Sequence, residues 1–352
     1  MPPATNDLDT WLDGLVHDPE VFPHQLDTIN RQLLLVRLAA DQVQNAAFLD
    51  QRVLSGREAG AWIPLDRVLS MVVPPNQPAG LILHCGHTGS TLISRLLGEF
   101  PGVWSLREPL LLQALAAEAR VTGTPLARLR SNEFHALLGL SQKLLAKSPP
   151  NHAQVIIKHT SLTANLAPGL LGLPGSAAII CLWIPLPDYL AIMLREPSVR
   201  SSVRIAAGEW IRDLMPTLGT STPVLGESLD AELAALNWCA AQFAFAQARS
   251  LAPERVIGLD FTDFLETPEE HLGIVARHFG TNHTEQDIER ALCSPWMQRY
   301  AKDPRYPFDT AERAREIETV KSRLSEEVRL GVKFAQRLWQ LLPMTNAFTQ
   351  PG

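Results

Sequence analysis

Short apolar runs alternate with longer stretches of helical spacing along most of this chain. The apolar runs are short enough to be buried parallel strands, and we predict strands at Leu81–Leu83, Val103–Leu106, Val155–Ile157, Ala177–Ile184 and Val256–Leu259. Between them, apolar residues recur three and four positions apart, which is typical of helices. Because strands that alternate with helices form a covered parallel sheet, the pattern predicts a three-layer α/β fold with about five strands.

The helical stretches have recognisable limits. We predict a helix that opens at Ser90, two or three helices over residues 110–147 that break near Gly123–Pro125, and longer helices at Leu229–Ser250 and Thr310–Leu342. The exposed stretch Gly219–Pro223 is predicted as a loop that could act as a lid. Residues 343–352 are expected to form a loose tail.

The region before the first strand follows a different pattern. Ile29, Leu33, Val36, Ala40, Val43 and Ala47 are spaced as on one helix face, which predicts an amphipathic helix to about Leu54. Its apolar stripe would either cover the sheet or face a partner chain. The proline-rich link Val73–Pro78 then predicts a boundary, giving an N-terminal helical extension over 1–75, packed on an α/β domain over 76–342.

The first predicted strand runs directly into a glycine-containing loop and the next helix. This loop consists of Gly86, His87, Thr88, Gly89, Ser90 and Thr91. A loop of this kind directs unpaired backbone N–H groups to a point in front of a helix N-terminus, where the helix dipole also favours negative charge. We therefore predict a phosphate-binding loop, against the alternative of an ordinary strand-to-helix turn with a Ser/Thr cap.

Composition narrows the classes of function. A net charge of −6 argues against a general nucleic-acid binder, and 46% hydrophobic residues indicate a globular protein. The four cysteines lie far apart and suggest buried thiols in a reducing compartment. Neither a leader-like N-terminus nor an apolar run approaching a membrane span is evident, so we expect a cytoplasmic protein without a membrane partner.

Ionisable residues follow several of the predicted strands, where open α/β sheets place ligands. Glu108 follows the second strand and could act as a general base, or could simply cap the next helix. Lys158 and His159 end the third strand. Lys158 is a candidate site residue, but it could equally be a salt-bridged lysine at a strand edge. His159 is an alternative to Glu108 as the base.

The loop sequence is not a Walker A motif, because Gly89 is followed by Ser90-Thr91 without a lysine. It resembles the loop of the sulfotransferase family, Lys/Arg-Ser-Gly-Thr/Ser-Thr, with His87 at the basic position. The resemblance implies a P-loop nucleotide-kinase/sulfotransferase-like fold and a sulfuryl donor, 3′-phosphoadenosine 5′-phosphosulfate (PAPS), with no metal. It also implies a hydroxyl or amine acceptor, which the sequence does not identify.

The same resemblance assigns roles to individual residues. Glu108 stands at the distance from Gly89 at which tyrosine-modifying sulfotransferases carry their proposed base. Lys158 would stabilise charge on the leaving phosphate, with His87 as a further donor. Lys302, in Tyr300-Ala-Lys302-Asp-Pro304, matches a C-terminal segment that in relatives brings a lysine to the nucleotide.

One departure from the family weakens this interpretation. The Arg and Ser that usually follow the fourth strand and hold the 3′-phosphate are absent, and Arg200 and Ser201, further along, are the candidates to replace them. They could equally belong to a solvated helix face. Two alternatives therefore remain: a P-loop kinase or other phosphotransferase, and a non-catalytic nucleotide-binding or assembly protein. The partners expected are a nucleotide donor and a small acceptor, not nucleic acid, and a homodimer is left open.

Overall fold

A computed structural model describes residues 5–74, 77–175 and 177–352. Its strands are β1 (Val21–Asp27), β2 (Gln32–Arg37), β3 (Gly60–Pro64), β4 (Gly80–His84), β5 (Val103–Arg107), β6 (Gln154–Lys158), β7 (Ile179–Trp183) and β8 (Val256–Asp260). Its α-helices are α1 (Thr5–His17), α2 (Ala40–Asn45), α3 (Leu65–Leu69), α4 (Ser90–Gly98), α5 (Leu110–Ala119), α6 (Ser131–Leu145), α7 (Ala167–Leu171), α8 (Leu186–Leu194), α9 (Pro197–Leu218), α10 (Asp230–Leu251), α11 (Phe261–Glu266), α12 (Pro268–His278), α13 (Glu285–Leu292), α14 (Thr310–Arg323) and α15 (Ser325–Leu341).

A five-stranded parallel sheet forms the centre of the fold, with strand order β5-β6-β4-β7-β8. Every residue of β4, β5 and β7 is buried, as expected for parallel strands covered on both faces by helices. The three-layer α/β fold and its five strands are thus confirmed. β4 pairs with β6 on one side and with β7 on the other, while the chain runs from β4 to β5 at the edge beyond β6. The strands that follow β4 in sequence thus fill first one side of it (β5 and β6) and then the other (β7 and β8), so the loop after β4 lies where such sheets bind ligands.

The continuous helix predicted from Ile29 to about Leu54 is wrong. The region instead contains β2, the short helix α2 and irregular chain, and β1, β2 and β3 form an antiparallel sheet. A strand pattern overlaps the helical one here, since Leu33 and Leu35 are two apart and both are buried. A tight turn between β1 and β2 favours the strand over the helix. In this turn Asp27 Oδ1 accepts hydrogen bonds from the Ile29 and Asn30 amides, at 2.9 Å each.

The N-terminal region therefore contains both helices and a sheet. Its division from the rest of the chain at residue 75 remains a prediction, and Pro75 and Asn76 lie outside the described residues. Towards the other end, the predicted helix Thr310–Leu342 is broken at Leu324, where ψ is 28° and α14 gives way to α15. The expected loose tail contacts the domain, because the Phe348 ring stacks on Trp183 with centroids 5.3 Å apart.

In the part of the chain that the structure describes, no helix is long and apolar enough to cross a membrane.

Candidate functional site

The loop after β4 turns sharply before α4 begins. Gly86, His87 and Gly89 all have positive φ, at 92°, 55° and 69°. Glycine is required at position 89 for a second reason, because a Cβ atom there would lie 2.0 Å from the Phe261 ring. The absence of a side chain at position 89 therefore lets the loop backbone pack directly against the Phe261 ring.

The amides of this loop lack protein partners. From His87 to Leu92, no backbone N–H finds an acceptor among the described residues. The hydroxyls of Thr88 and Thr91 are buried, and neither has a hydrogen-bond partner. Unsatisfied buried donors are costly, so a cluster of them before a helix N-terminus points to an anionic ligand.

Two buried contacts fix the start of the loop. His84 Nδ1 accepts a hydrogen bond from the Gly86 amide at 2.9 Å, while its Nε2 lies 2.8 Å from the His159 carbonyl oxygen. This pattern assigns the proton to Nε2, and burial keeps the ring neutral by holding the pKa of His84 well below its usual value. Tyr189 Oη also donates to the Cys85 carbonyl at 3.1 Å. The start of the loop is therefore tied to the residue after β6 and to the side of α8.

A cavity of about 490 Å³ opens in front of the loop. Its walls come from the loop itself, from α8 and α14, and from the segment 299–309. The side chains of Arg195, Lys302 and Arg313 line it, together with the Phe261 ring. The lining also includes the carboxylates of Asp309, Glu312 and Glu316, and Glu316 pairs with Arg195 at 2.7 Å. The loop amides thus share the cavity with cations that are partly balanced by acids.

Glu108 and Lys158 form an ion pair at the ends of neighbouring strands. The Lys158 side chain is fully buried, and that of Glu108 is 12% exposed. Burial lowers the pKa of Lys158 to about 8, although the Glu108 carboxylate acts in the opposite direction. The main chain joins them too, since the Glu108 amide donates to the Lys158 carbonyl at 2.7 Å. Glu108 has a φ of 54°, an uncommon conformation for a non-glycine residue.

Lys302 approaches the same pair from the segment 299–309. Its ammonium has no hydrogen-bond or ion-pair partner within the described chain, and lies 5.9 Å from the Phe48 ring centroid. Burial lowers the pKa of Lys302, and the Glu108 carboxylate partly opposes this. The fold therefore gathers Glu108, Lys158 and Lys302, which are far apart in sequence.

His87 and His159 are both neutral at neutral pH. His87 is exposed and lines the cavity, yet partial desolvation by the surrounding protein, followed by the charges of Lys302, Arg195 and Lys158, lowers its pKa to about 4. Burial lowers the pKa of His159 to about 3, and its Nδ1 lies 3.0 Å from Thr163 Oγ1. His87 can therefore offer a hydrogen bond to an anion but no charge.

Arg200 and Ser201 do not line the cavity. Arg200 Nη1 donates to Glu327 at 2.6 Å and its Nε donates to the Leu194 carbonyl at 2.8 Å, while Ser201 is exposed on α9. The structure thus favours the solvated-helix alternative for these two residues.

Arg195 and Arg313 lie in the cavity instead, and each has a buried side-chain N–H without a partner, at Nε and Nη2 respectively. Arg313 is not recognisable from the sequence, because nothing in its local pattern distinguishes it from other arginines of a surface helix. His84 was also missed, since a histidine within an apolar run gives no sign of its bonds.

A phosphotransferase would need a carboxylate at a strand end to hold magnesium, and Asp260 ends β8. Asp260 instead caps α11 by accepting a hydrogen bond from the Thr262 amide at 2.8 Å. The residues that the structure describes contain no group of three or more His, Cys, Asp or Glu side chains placed to hold a metal ion.

No protein-family model matches the chain, and no curated protein matches its sequence. Solved structures do match by fold, and among them are sulfotransferases. The sulfotransferase domain from the curacin biosynthetic pathway is similar over 71% of this chain and 99% of that domain, with 14% identity and a TM-score of 0.44. The sulfotransferase domain of the Synechococcus PCC 7002 olefin synthase is similar over 69% of this chain and 94% of that domain, with 14% identity and a TM-score of 0.40. Mouse sulfotransferase SULT7A1, solved in complex with PAP, is similar over 78% of this chain and 96% of the mouse chain, with 10% identity and a TM-score of 0.33. At these values the likeness concerns the fold, and it does not extend to activity, donor or acceptor.

Proposed function

We propose that this protein is a sulfotransferase-like enzyme that moves a sulfuryl group from PAPS to a hydroxyl or amine of a small acceptor. One observation carries the proposal: residues 87–92, whose amides are free, line the cavity together with Lys302. The charge of Lys158 acts on His87 of this loop and that of Glu108 acts on Lys302, so the Glu108–Lys158 pair lies near both. An anion site beside a buried carboxylate and ammonium suits the transfer of a charged group from a nucleotide.

The residues present fit such a donor. The loop amides and the orphaned hydroxyls of Thr88 and Thr91 would hold its 5′ phosphosulfate, and the unpaired ammonium of Lys302 would add charge. The unpartnered N–H groups of Arg195 and Arg313 would serve the other phosphate of the nucleotide. PAPS thus supplies the anionic groups that these donors lack.

The chemistry then falls to Glu108 and Lys158. The acceptor oxygen or nitrogen bonds to sulfur while the bond between sulfur and the bridging oxygen of the donor breaks, and Glu108 takes the acceptor proton. Negative charge grows on the leaving phosphate. Protonation of Glu108 leaves the Lys158 ammonium without its counter-charge, so Lys158 becomes available to stabilise that phosphate.

A non-catalytic nucleotide-binding protein is the second candidate, and the placement of Arg200 and Ser201 outside the cavity favours it. A phosphotransferase gains no such support, because Asp260 serves as a helix cap.

Thermal-shift measurements with adenosine 3′,5′-bisphosphate (PAP), ATP and GTP test the binding. A ligand at a hundredfold excess over its Kd stabilises a fold by about 2.7 kcal/mol, so a rise in Tm with PAP but not with ATP or GTP supports the proposal. Transfer of labelled sulfate from PAPS to a panel of phenols and amines tests the reaction. PAP binding without transfer would favour the second candidate, and stabilisation by ATP or GTP alone would overturn the proposed use of PAPS.

A further inference from the structure

The segment Ala46–Val53 of the N-terminal region lies directly against Glu108. The Leu49 amide donates to the Arg107 carbonyl at 2.7 Å, and the Leu49 carbonyl accepts from the Leu110 amide at 3.1 Å. These bonds bracket Glu108 and Pro109 on both sides. Glu108 is therefore held between this segment and the end of β6.

Two buried arginines fix the segment in place. Arg107 donates from Nε to the Ala46 carbonyl at 2.6 Å and from Nη2 to the Val43 carbonyl at 2.9 Å. Arg95 donates to the carbonyls of Gln44 and Asn45, each at 2.7 Å. The two guanidiniums are thus engaged with backbone carbonyls, which holds the segment in one arrangement before any ligand arrives.

A second cavity, of about 360 Å³, opens on this segment and is lined by Gln42, Ala46, Ala47, Phe48, Arg52 and Val53. The lining is mostly apolar with one cation. The Arg52 guanidinium lies 3.5 Å from the Phe48 ring centroid, and Asp50 holds it through Nε at 2.9 Å. Its Nη1 has no acceptor in the described part of the chain, and the side chain is 59% exposed. Arg52 is therefore oriented by Asp50 while keeping a free donor.

Charge around Glu108 is unbalanced. Its carboxylate pairs with Lys158, and its negative charge opposes the lowering of the Lys302 pKa by burial. The hydrogen bond to Asp50 raises the pKa of Arg52 most, and the Glu108 charge adds to this, so three cations lie around two carboxylates. Lys302 lines the first cavity, where the donor would bind. Arg52 lines the second cavity, and its Nη1, which Asp50 does not engage, can donate to a different anion.

We propose that the segment Ala46–Val53 is the acceptor-binding wall, and that Phe48 and Arg52 select a small, largely apolar hydroxy compound that carries a carboxylate. The proposal rests on the proposed function, because it assigns the second substrate of that reaction. The apolar body lies against Phe48 and the alanines, the carboxylate meets Arg52 Nη1, and the hydroxyl faces Glu108.

Binding of a matched pair of probes to the full-length protein tests this assignment. The probes are 4-hydroxybenzoate and 4-hydroxybenzamide, which differ in charge and hardly in shape, and calorimetry with and without saturating PAP gives their Kd values. We expect the acid to bind about tenfold more tightly than the amide, as a charge-assisted hydrogen bond predicts. Arg52→Gln removes this preference, whereas Arg57→Gln, an exposed arginine outside the cavity lining, retains it.

Three results would overturn the acceptor wall: no binding of the acid in the millimolar range, equal binding of acid and amide by the unaltered protein, or an unchanged preference in Arg52→Gln. Phe48→Leu provides a second readout, since it should weaken both probes and preserve their ratio. Failure of the proposed function would give a different result, because PAP would not bind and PAPS would not support transfer. That outcome does not depend on the Kd values of 4-hydroxybenzoate and 4-hydroxybenzamide.

Discussion

The Lys158 ammonium is fully buried and its counter-ion is the Glu108 carboxylate, which belongs to the neighbouring strand end. The register that pairs Arg107 with Lys158 across β5 and β6 sets this contact, so the two residues meet because of sheet geometry. A buried pair of this kind is costly to break, since removal of one partner leaves the other charge unpaired in a low-dielectric environment.

Glu108→Gln should therefore destabilise the protein by about 3 kcal/mol, with Lys158→Met costing a similar amount. The double variant should recover most of the loss, because it leaves no unpaired buried charge. Urea denaturation of the two single variants and the double variant measures the coupling energy. Additive losses would show that the pair does not behave as a unit.

Sulfuryl transfer should decline as pH rises above about 8, where Lys158 loses its proton. Burial sets this value well below the usual pKa of a lysine, with Lys302 and Arg107 acting in the same direction and Glu108 opposing them. The charged form is present below this pH and lost above it. His87 titrates near pH 4, so it should not contribute in this window. The measurement is kcat/KM against pH, and a flat profile to about pH 10 would contradict a role for the Lys158 ammonium.

Gly89→Ala should abolish PAP binding and destabilise the fold. The new Cβ would collide with the Phe261 ring in addition to straining a φ of 69°. Gly123→Ala is the matched control, since φ is 80° there but nothing lies within 4 Å of the added Cβ. The control should lose only about 1 kcal/mol and bind PAP normally. Equal effects in urea denaturation would mean that the contact with Phe261 is unimportant.

Thr91→Val should stabilise the free protein slightly, by up to about 1 kcal/mol, and weaken PAP binding. The buried hydroxyl has no partner in the absence of ligand, so its removal relieves a desolvation cost. Ser141→Ala removes another orphaned buried hydroxyl, in α6 and outside the cavity, and should stabilise the fold without changing the Kd for PAP. We therefore expect that only Thr91→Val combines a gain in the free energy of unfolding with a loss of PAP affinity.

Lys302→Met should weaken PAP binding about tenfold or more, because the variant lacks the one ammonium of this cluster that has no protein partner in the described chain. Arg200→Gln should leave the Kd unchanged, since Arg200 is engaged by Glu327 and the Leu194 carbonyl. Calorimetric titration with PAP compares the two variants. A loss in Arg200→Gln of the same size as that in Lys302→Met would restore the phosphate role first predicted for Arg200.

Local patterns in the sequence were enough to predict the parallel sheet and the loop after its first strand. Runs such as Leu81–Leu83 are short and apolar throughout, as a strand covered on both faces requires, and the glycines at 86 and 89 mark a turn with positive φ. These features are local, so they are readable before the chain folds. The same local signals placed Glu108 and Lys158 at strand ends.

The N-terminal region and the assembly of the site depend on contacts between distant parts of the chain. Leu33 and Val36 fit one face of a helix, whereas Leu33 and Leu35 fit one face of a strand, and pairing of β2 with both β1 and β3 settles the choice. Strand order and register bring Glu108 to Lys158, and the return of the chain after α13 brings Lys302 to both. Such contacts join residues far apart in sequence, and no local pattern encodes the distance between them, because burial and packing of the whole sheet fix it.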